Sequence, residues 1–474
     1  MDLNARADEL DAAPGHWWRS GAPEAKVAGV LRRNAGVGVW TLQVAGTLGG
    51  DQGDDDIGDA QTLFGETSEG LITMQSASWQ SSRQSRGQLE GKPNQSEVWH
   101  AFTVCLGGHF NENHLWSNLS FELPLTWDWF SPTRLEGARK DVDPLADGFF
   151  EEITAELGPD VTASVWRGLS VTSGRDKLER RGKGGYAFTS NKGFTLRQME
   201  QSILAVENLH RLLYGGSTVP AGYALTQSGS ETPGASQAYE LPAREPLTAS
   251  PRIPQPYFGT NEVDLSEFLP RWIDLHVSVD SWPALGPPPG AQGYLQTELV
   301  EAVNAAEALA RSLKLGKNDP TQREQAILDA VQSLPRRTRE KAARALEIAR
   351  DTLAERLEAL ALTLGPSSAA WLLGDVHAWA VRTGQVRNAL SHGYASSDRL
   401  EKDPDALFAI LKSVRVVQQL AMLRAAGFTN GQDAHPSAEL LTSAEEGLRL
   451  GQRNSALGEQ IEYVRWSRNA WRRS

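Results

Sequence analysis

Arg387-Asn388-Ala389-Leu390-Ser391-His392, followed by Gly393, puts a guanidinium, an amide and an imidazole within one hexapeptide. An imidazole near its ordinary pKa can take or give a proton at neutral pH. A guanidinium can grip a phosphate with two parallel N–H donors and stabilise charge growing on its oxygens. Helical spacing sets Asn388 and His392 (i, i+4) on one face with Arg387 adjoining, and Gly393 can adopt the left-handed conformation that ends a helix. The same residues also have a purely structural use, because the helix dipole favours a His at the C-terminus, where it caps carbonyls. A second Arg-x4-His occurs at Arg271-Trp272-Ile273-Asp274-Leu275-His276. It sits in a short element between two breaks, with Trp after the Arg, and is set aside as a chance match.

The elements that must carry the 387 motif are helical. From Leu295 onward the segments LQTELVEAVNAAEALARSL, PTQREQAILDAVQSL, RRTREKAARALEIARDTLAERLEALALTL, SSAAWLLGDVHAWAVRTGQVRNALSH and DPDALFAILKSVRVVQQLAMLRAAG each show helical periodicity. So do two later pieces ending in EYVRWSRNAWRRS, and all are bounded by Gly, Pro, Asn or Asp. Short connections make this an antiparallel helical bundle, without internal repeats.

Upstream, residues 15 to 130 read as β structure. VGVWTLQVAG, GLITMQSASW, EVWHAFTVCLGG and LWSNLSFELPL alternate apolar and polar residues between Gly, Asn and Asp clusters. Asp160 to Val171 is a further strand candidate, SGRDKLERRGKGG (173–185) reads as an exposed loop, and Leu196 to Leu213 as an amphipathic helix ending at Gly215-Gly216. The acidic loop Gly49 to Asp59 lacks the spacing of a calcium site and reads as solvated. Ser228 to Gln255 is rich in Pro, Ser, Ala and Thr and is taken as the main linker; 281–293 is a second break, with LSEFLPRWIDLHVSV between them docking on the helical domain. The expected fold class is therefore α+β and multidomain. A β-rich N-terminal domain (1–227) is followed by a Pro-rich linker with a short docking element (228–290), then an all-α bundle with a C-terminal helical extension (291–474).

Bulk properties agree with such a chain. With 474 residues, 40 % hydrophobic and 22 % charged, it should form two or three folded domains. No stretch approaches about 18 uninterrupted apolar residues, and the N-terminus carries acidic residues without an apolar core, so neither a membrane span nor a signal peptide is expected. The single Cys105 cannot form an internal disulfide and fits the reducing cytoplasm. Net charge is −12, but the part from Ala291 onward carries 24 Lys and Arg against 22 Asp and Glu, so the acidic excess is N-terminal. That leaves RNA or phosphate chemistry open in the C-terminal part and excludes a protein that coats nucleic acid.

Other candidate sites are weaker. His100, His109 and His114 lie near one another in sequence, yet no Cys pair or carboxylate motif completes a zinc set. The Trp on strands read as core anchors. The Arg465 to Arg473 terminus could stack on RNA bases, although packing of a final amphipathic helix explains it as well. There is no P-loop, dinucleotide fingerprint or Gly-x-Ser-x-Gly elbow, and no cofactor or metal is expected.

VRNALSHG, the preceding helix with Trp379 and Val386, AAEALARSL with Glu307, and the following helix ending LRAAGF resemble the C-terminal domain of ApeA-type antiphage proteins, a branch of the HEPN superfamily. GHWWRSGAPEAKVAGVL, LFGETSEGLITMQSA and VCLGGHFNENHLWSNLSFELPLTWDW resemble the N-terminal domain of the same proteins. The chain after Gly427 and the Pro-rich 228 to 290 region depart from the pattern. The resemblance implies an abortive-infection ribonuclease that cuts RNA, with tRNA suggested by relatives, without a metal. Arg387, Asn388 and His392 would be its catalytic residues, meeting their copies across a homodimer or higher homo-oligomer. The implied products are a 2′,3′-cyclic phosphate and a 5′-hydroxyl, with the N-terminal domain sensing a phage-derived trigger. The resemblance also admits a different class, a non-catalytic HEPN module kept for nucleotide or RNA binding or for dimerisation. Such members usually lack the Arg or the His, and this chain has both.

Overall fold

A computed structural model describes residues 12–34, 39–48, 60–85, 94–101, 103–123, 125–130, 150–173, 178–214, 221–227, 237–240, 256, 258–260, 263–278, 294–315, 322–342, 352–393, 400–428 and 456–467. The acidic loop Gly49 to Asp59, the 281–293 break, the earlier of the two late helical pieces and the terminus after Ser467 lie outside them. The chain divides into two compact units, one of Met1–Glu207 with Thr218–Ser250, the other of Asn208–Ser217 with Pro251–Ser474.

The first unit is built on strands Ala12–Arg19 (β1), Val27–Asn34 (β2), Val39–Val44 (β3), Gln61–Thr67 (β4), Gly70–Ser85 (β5), Asn94–Ala101 (β6), Thr103–Leu106 (β7), Trp116–Glu122 (β8), Phe150–Gly158 (β9), Val161–Ser173 (β10), Leu178–Phe194 (β11), Ala221–Gln227 (β12) and Gln237–Glu240 (β13). They pair antiparallel in the order β4-β1-β2-β3-β6-β5, and β5 pairs back onto β4, which closes a barrel and removes its edges. Period-two alternation turns Trp40, Leu42 and Val44 of β3 inward, where they meet Trp17, Leu31, Leu63, Ile72, Met74 and Trp99. The interior is thus filled by large side chains. Gly65 makes this possible, since a Cβ there would come within 2.5 Å of the Trp17 ring.

β7 pairs with both β5 and β13, and the sheet continues as β13-β12-β8-β11-β10-β9. The stretch 173–185, expected as a loop, is from Leu178 onward the first half of β11 instead, and Leu178–Ser190 pair with Val161–Ser173 along the whole length of β10. Its glycines are used for close approach. A Cβ on Gly182 would meet the Trp127 ring at 2.7 Å, and one on Gly185 the Phe121 carbonyl oxygen at 2.0 Å. Lys183 answers Glu122 across the ladder at 2.6 Å. Charge and glycine, which alone read as a loop, here serve a strand covered by the short helix α1 (Thr126–Trp129). β13 falls within the stretch taken as the main linker.

The second unit is helical. Helix α2 (Leu196–Tyr214) contributes its residues from Asn208 onward. Beyond it come α3 (Leu265–Ser278), α4 (Leu295–Ser312), α5 (Gln322–Ala330), α6 (Leu353–Leu362), α7 (Pro366–Leu373), α8 (Val376–His392), α9 (Pro404–Ala425) and α10 (Ala456–Ser467). α3 packs on α9, and beside it the rings of Phe258 and Phe428 meet at a tilt with their centroids 4.5 Å apart. Two runs that read as single helices are broken. Thr352 is extended and opens α6 with a capping box, its hydroxyl accepting from the Glu355 N–H while the Glu355 carboxylate accepts from Thr352. Gly374, at φ +81°, ends α7, and the Asp375 carboxylate caps α8 by accepting from the Ala378 N–H at 2.9 Å. Local cap geometry outweighs the continuous apolar period in both.

α9 is the bundle's central rod. Among the described residues it is the helix long and apolar enough to cross a membrane, and 89 % of its apolar window is buried within the fold. Its polar residues are spent on neighbours: Gln418 donates to the Ala302 carbonyl at 3.1 Å, and Arg415 binds Glu298 at 2.9 Å.

Candidate active site

Helix α8 buries Trp379, Ala380, Thr383, Gly384, Val386 and Ala389 against the bundle. Trp379 anchors it, donating from Nε1 to the Ser413 hydroxyl at 2.8 Å, which in turn donates to the Ile410 carbonyl at 2.7 Å. At its first turn the Nδ1 of His377 lies 2.8 Å from a Glu358 oxygen on α6, and that carboxylate raises the imidazole above its ordinary pKa. These contacts fix the register of the helix. Asn388 and His392 consequently stand on its exposed side at the C-terminal end, with Arg387 half-buried next to them. Gly393 terminates the helix in the left-handed conformation, φ 71° and ψ 16°, and its N–H donates to the Ala389 carbonyl at 2.9 Å.

The Arg387 guanidinium is held from two sides. Its Nε and Nη2 donate to the Asn304 Oδ1 of α4 at 3.1 and 2.9 Å, and its Nη1 donates to the Asn388 Oδ1 at 3.1 Å. Nothing in the sequence marks Asn304 out. It lies three residues before Glu307, in an unremarkable stretch of α4, and meets Arg387 across 83 positions. Glu307 accepts from Arg356 of α6 and from Arg311. Arg356 is 5 % exposed at its side chain, so this pair fastens α4 to α6 inside the fold.

The other Arg-x4-His is differently employed. Arg271 binds Glu267 one turn away at 2.8 Å and lies over Gly427, where a Cβ would come within 2.6 Å of its Nη1. The Nε2 of His276 is 2.7 Å from the Asn208 amide nitrogen, and Trp272, next to Arg271 in the chain, is fully buried. These are packing contacts of α3. In the barrel unit, His109 places Nε2 3.1 Å from the Gly65 carbonyl and stacks on Phe64, while His114 sits between Phe110 and Trp116, where burial lowers its pKa. Among the described residues no three His, Cys, Asp or Glu come together to hold a metal ion. Arg465 stacks on Trp371 at 4.0 Å from the ring centroid, so the C-terminal helix docks through a cation–π contact, and Trp466 beyond it is 87 % exposed.

The site therefore combines one fixed cation with an adjoining amide and an exposed imidazole at a helix end. That arrangement can bind a phosphate and move a proton beside it. A family model described as ApeA N-terminal domain 1 matches residues 13–272, and one described as Apea-like HEPN matches residues 300–432, which contain Asn304, Arg387, Asn388 and His392. No curated protein and no solved structure matches the chain. The chain belongs to the ApeA family, with an ApeA N-terminal domain followed by an Apea-like HEPN domain.

Proposed function

We propose that this protein is an antiphage endoribonuclease that cuts RNA, tRNA being the kind its family suggests, without a metal ion. HEPN domains are typically metal-independent ribonucleases, which gives the class. The observation that carries the reading to these residues is the gathering of Arg387, Asn388 and His392 at the solvent end of α8, with the guanidinium already oriented. In the proposed reaction one His392 takes the proton of a ribose 2′-hydroxyl, the 2′ oxygen attacks the adjacent phosphorus, and the 5′ oxygen leaves with a proton from a second, protonated imidazole. Arg387 holds the phosphate and stabilises the charge on its non-bridging oxygens. The products are a 2′,3′-cyclic phosphate and a 5′-hydroxyl. The ApeA N-terminal domain would restrain the site in the cytoplasm until a phage-derived signal is met.

The four side chains of the site include no carboxylate, so cleavage is expected to persist in excess EDTA with those end groups on the products. Complete loss in EDTA, restored by Mg²⁺ or Mn²⁺, would overturn the mechanism.

In-line transfer wants an acid and a base on opposite sides of the phosphorus, and each chain offers one His392. A two-fold contact brings the same patch of two subunits together and supplies both. The protein is accordingly expected to sediment as a homodimer or larger homo-oligomer at assay concentration. A fully active monomer would exclude the shared site.

A further inference from the structure

We infer that Asn304 is a positioning residue for Arg387, holding the guanidinium so that its remaining N–H groups meet the phosphate. The inference rests on the ribonuclease reading of the α8 site and extends it to a residue of α4. A guanidinium has five N–H donors and no acceptor, so only the Oδ1 of Asn304 can face it. That single oxygen takes Nε–H and one Nη2–H, and the Asn388 Oδ1 takes one Nη1–H. Among the described residues two donors are left, one on each terminal nitrogen, which is the number a bidentate phosphate contact uses.

An arginine side chain has several rotatable bonds, and at a surface it would otherwise have to be ordered anew for each substrate. Asn304 supplies that order in advance. Its own position is fixed because Val303, Ala305 and Ala306 beside it are buried, and Glu307, one turn on, is tied to Arg356. The amide is also neutral. It orients Arg387 without cancelling the positive charge that draws phosphate, which a carboxylate at the same place would partly do.

The test is steady-state cleavage of an RNA oligonucleotide by the full chain, with melting temperature measured in parallel. Asn304→Ala is expected to lower kcat about tenfold to a hundredfold, as loss of a preset geometry does, with KM little changed and the melting temperature that of the wild type. Asn304→Asp keeps the acceptor, so kcat should recover to within about threefold of wild type while KM rises, the added charge opposing phosphate binding. A merely structural residue would not divide its effects in this way. Should alanine loosen α4, Asn304→Leu, which keeps the size and loses only the acceptor, carries the same test. Wild-type kcat in the alanine or leucine variant, or an aspartate variant as slow as alanine, overturns the inference. If Arg387→Ala is inactive while Asn304→Ala is not, only Asn304 loses its role; if Arg387→Ala cleaves normally, the ribonuclease site itself was misassigned.

Discussion

His392→Ala and Arg387→Ala are each expected to reduce RNA cleavage by about a thousandfold, the usual span of a lost acid–base group or oxyanion-stabilising donor. Phage protection should disappear with it, while the far-ultraviolet circular dichroism stays that of the wild type. The fold should survive because His392 is exposed and, among the described residues, the partners of Arg387 are two surface amides, Asn304 and Asn388. Arg271→Ala is the control with the same spacing to a histidine. It removes an exposed i, i+4 pair with Glu267, worth a few tenths of a kcal/mol at about that level of exposure, and cleavage should continue. Loss of cleavage in the Arg271 variant alone, with the protein folded, would show that the wrong pair carries the chemistry.

Glu307→Ala is expected to be the most damaging of the surface-to-core charge changes in the helical unit. The carboxylate binds Arg356, whose side chain is 5 % exposed, and also Arg311 at 2.5 Å. Removing the carboxylate takes its ion pair from a guanidinium held inside the fold, a loss of at most about 3 to 5 kcal/mol. Urea unfolding followed by helical signal should show it as a lower midpoint, and Glu307→Gln, which keeps the size and one acceptor, should lose less. Cleavage should fall in step, since Asn304 shares the same turn of α4. A Glu307→Ala unfolding free energy within about 1 kcal/mol of wild type, the scale of an exposed pair, would mean the bundle does not depend on this contact.

Several features were legible in the residues alone because their causes are local. Alternation in VWTLQV made β3, helical periodicity made α2, α4 and α9, and Gly393 after His392 ended α8 where a left-handed residue was wanted. The Arg387-Asn388-x3-His392 cluster on one helix end follows from helical spacing and nothing more. The caps at Thr352 and Asp375 were equally written in the sequence as Thr-x2-Glu and Gly-Asp, but the long apolar period around them read as continuous helix.

What only the tertiary structure decided depends on partners far along the chain. Residues 178–185 form a strand because β10 supplies a complete hydrogen-bonding ladder and Trp127 fills the space left by their glycines. The barrel closes because β1, paired with β2 along one edge, takes β4 along the other, Gly15 facing Thr67, with Gly65 admitting Trp17. Arg387 is oriented because α4 delivers Asn304 from 83 residues away. Periodicity and capping constrain each element by itself, whereas a hydrogen bond between two elements depends on how both are packed, and that information is shared by the whole core rather than held in either segment.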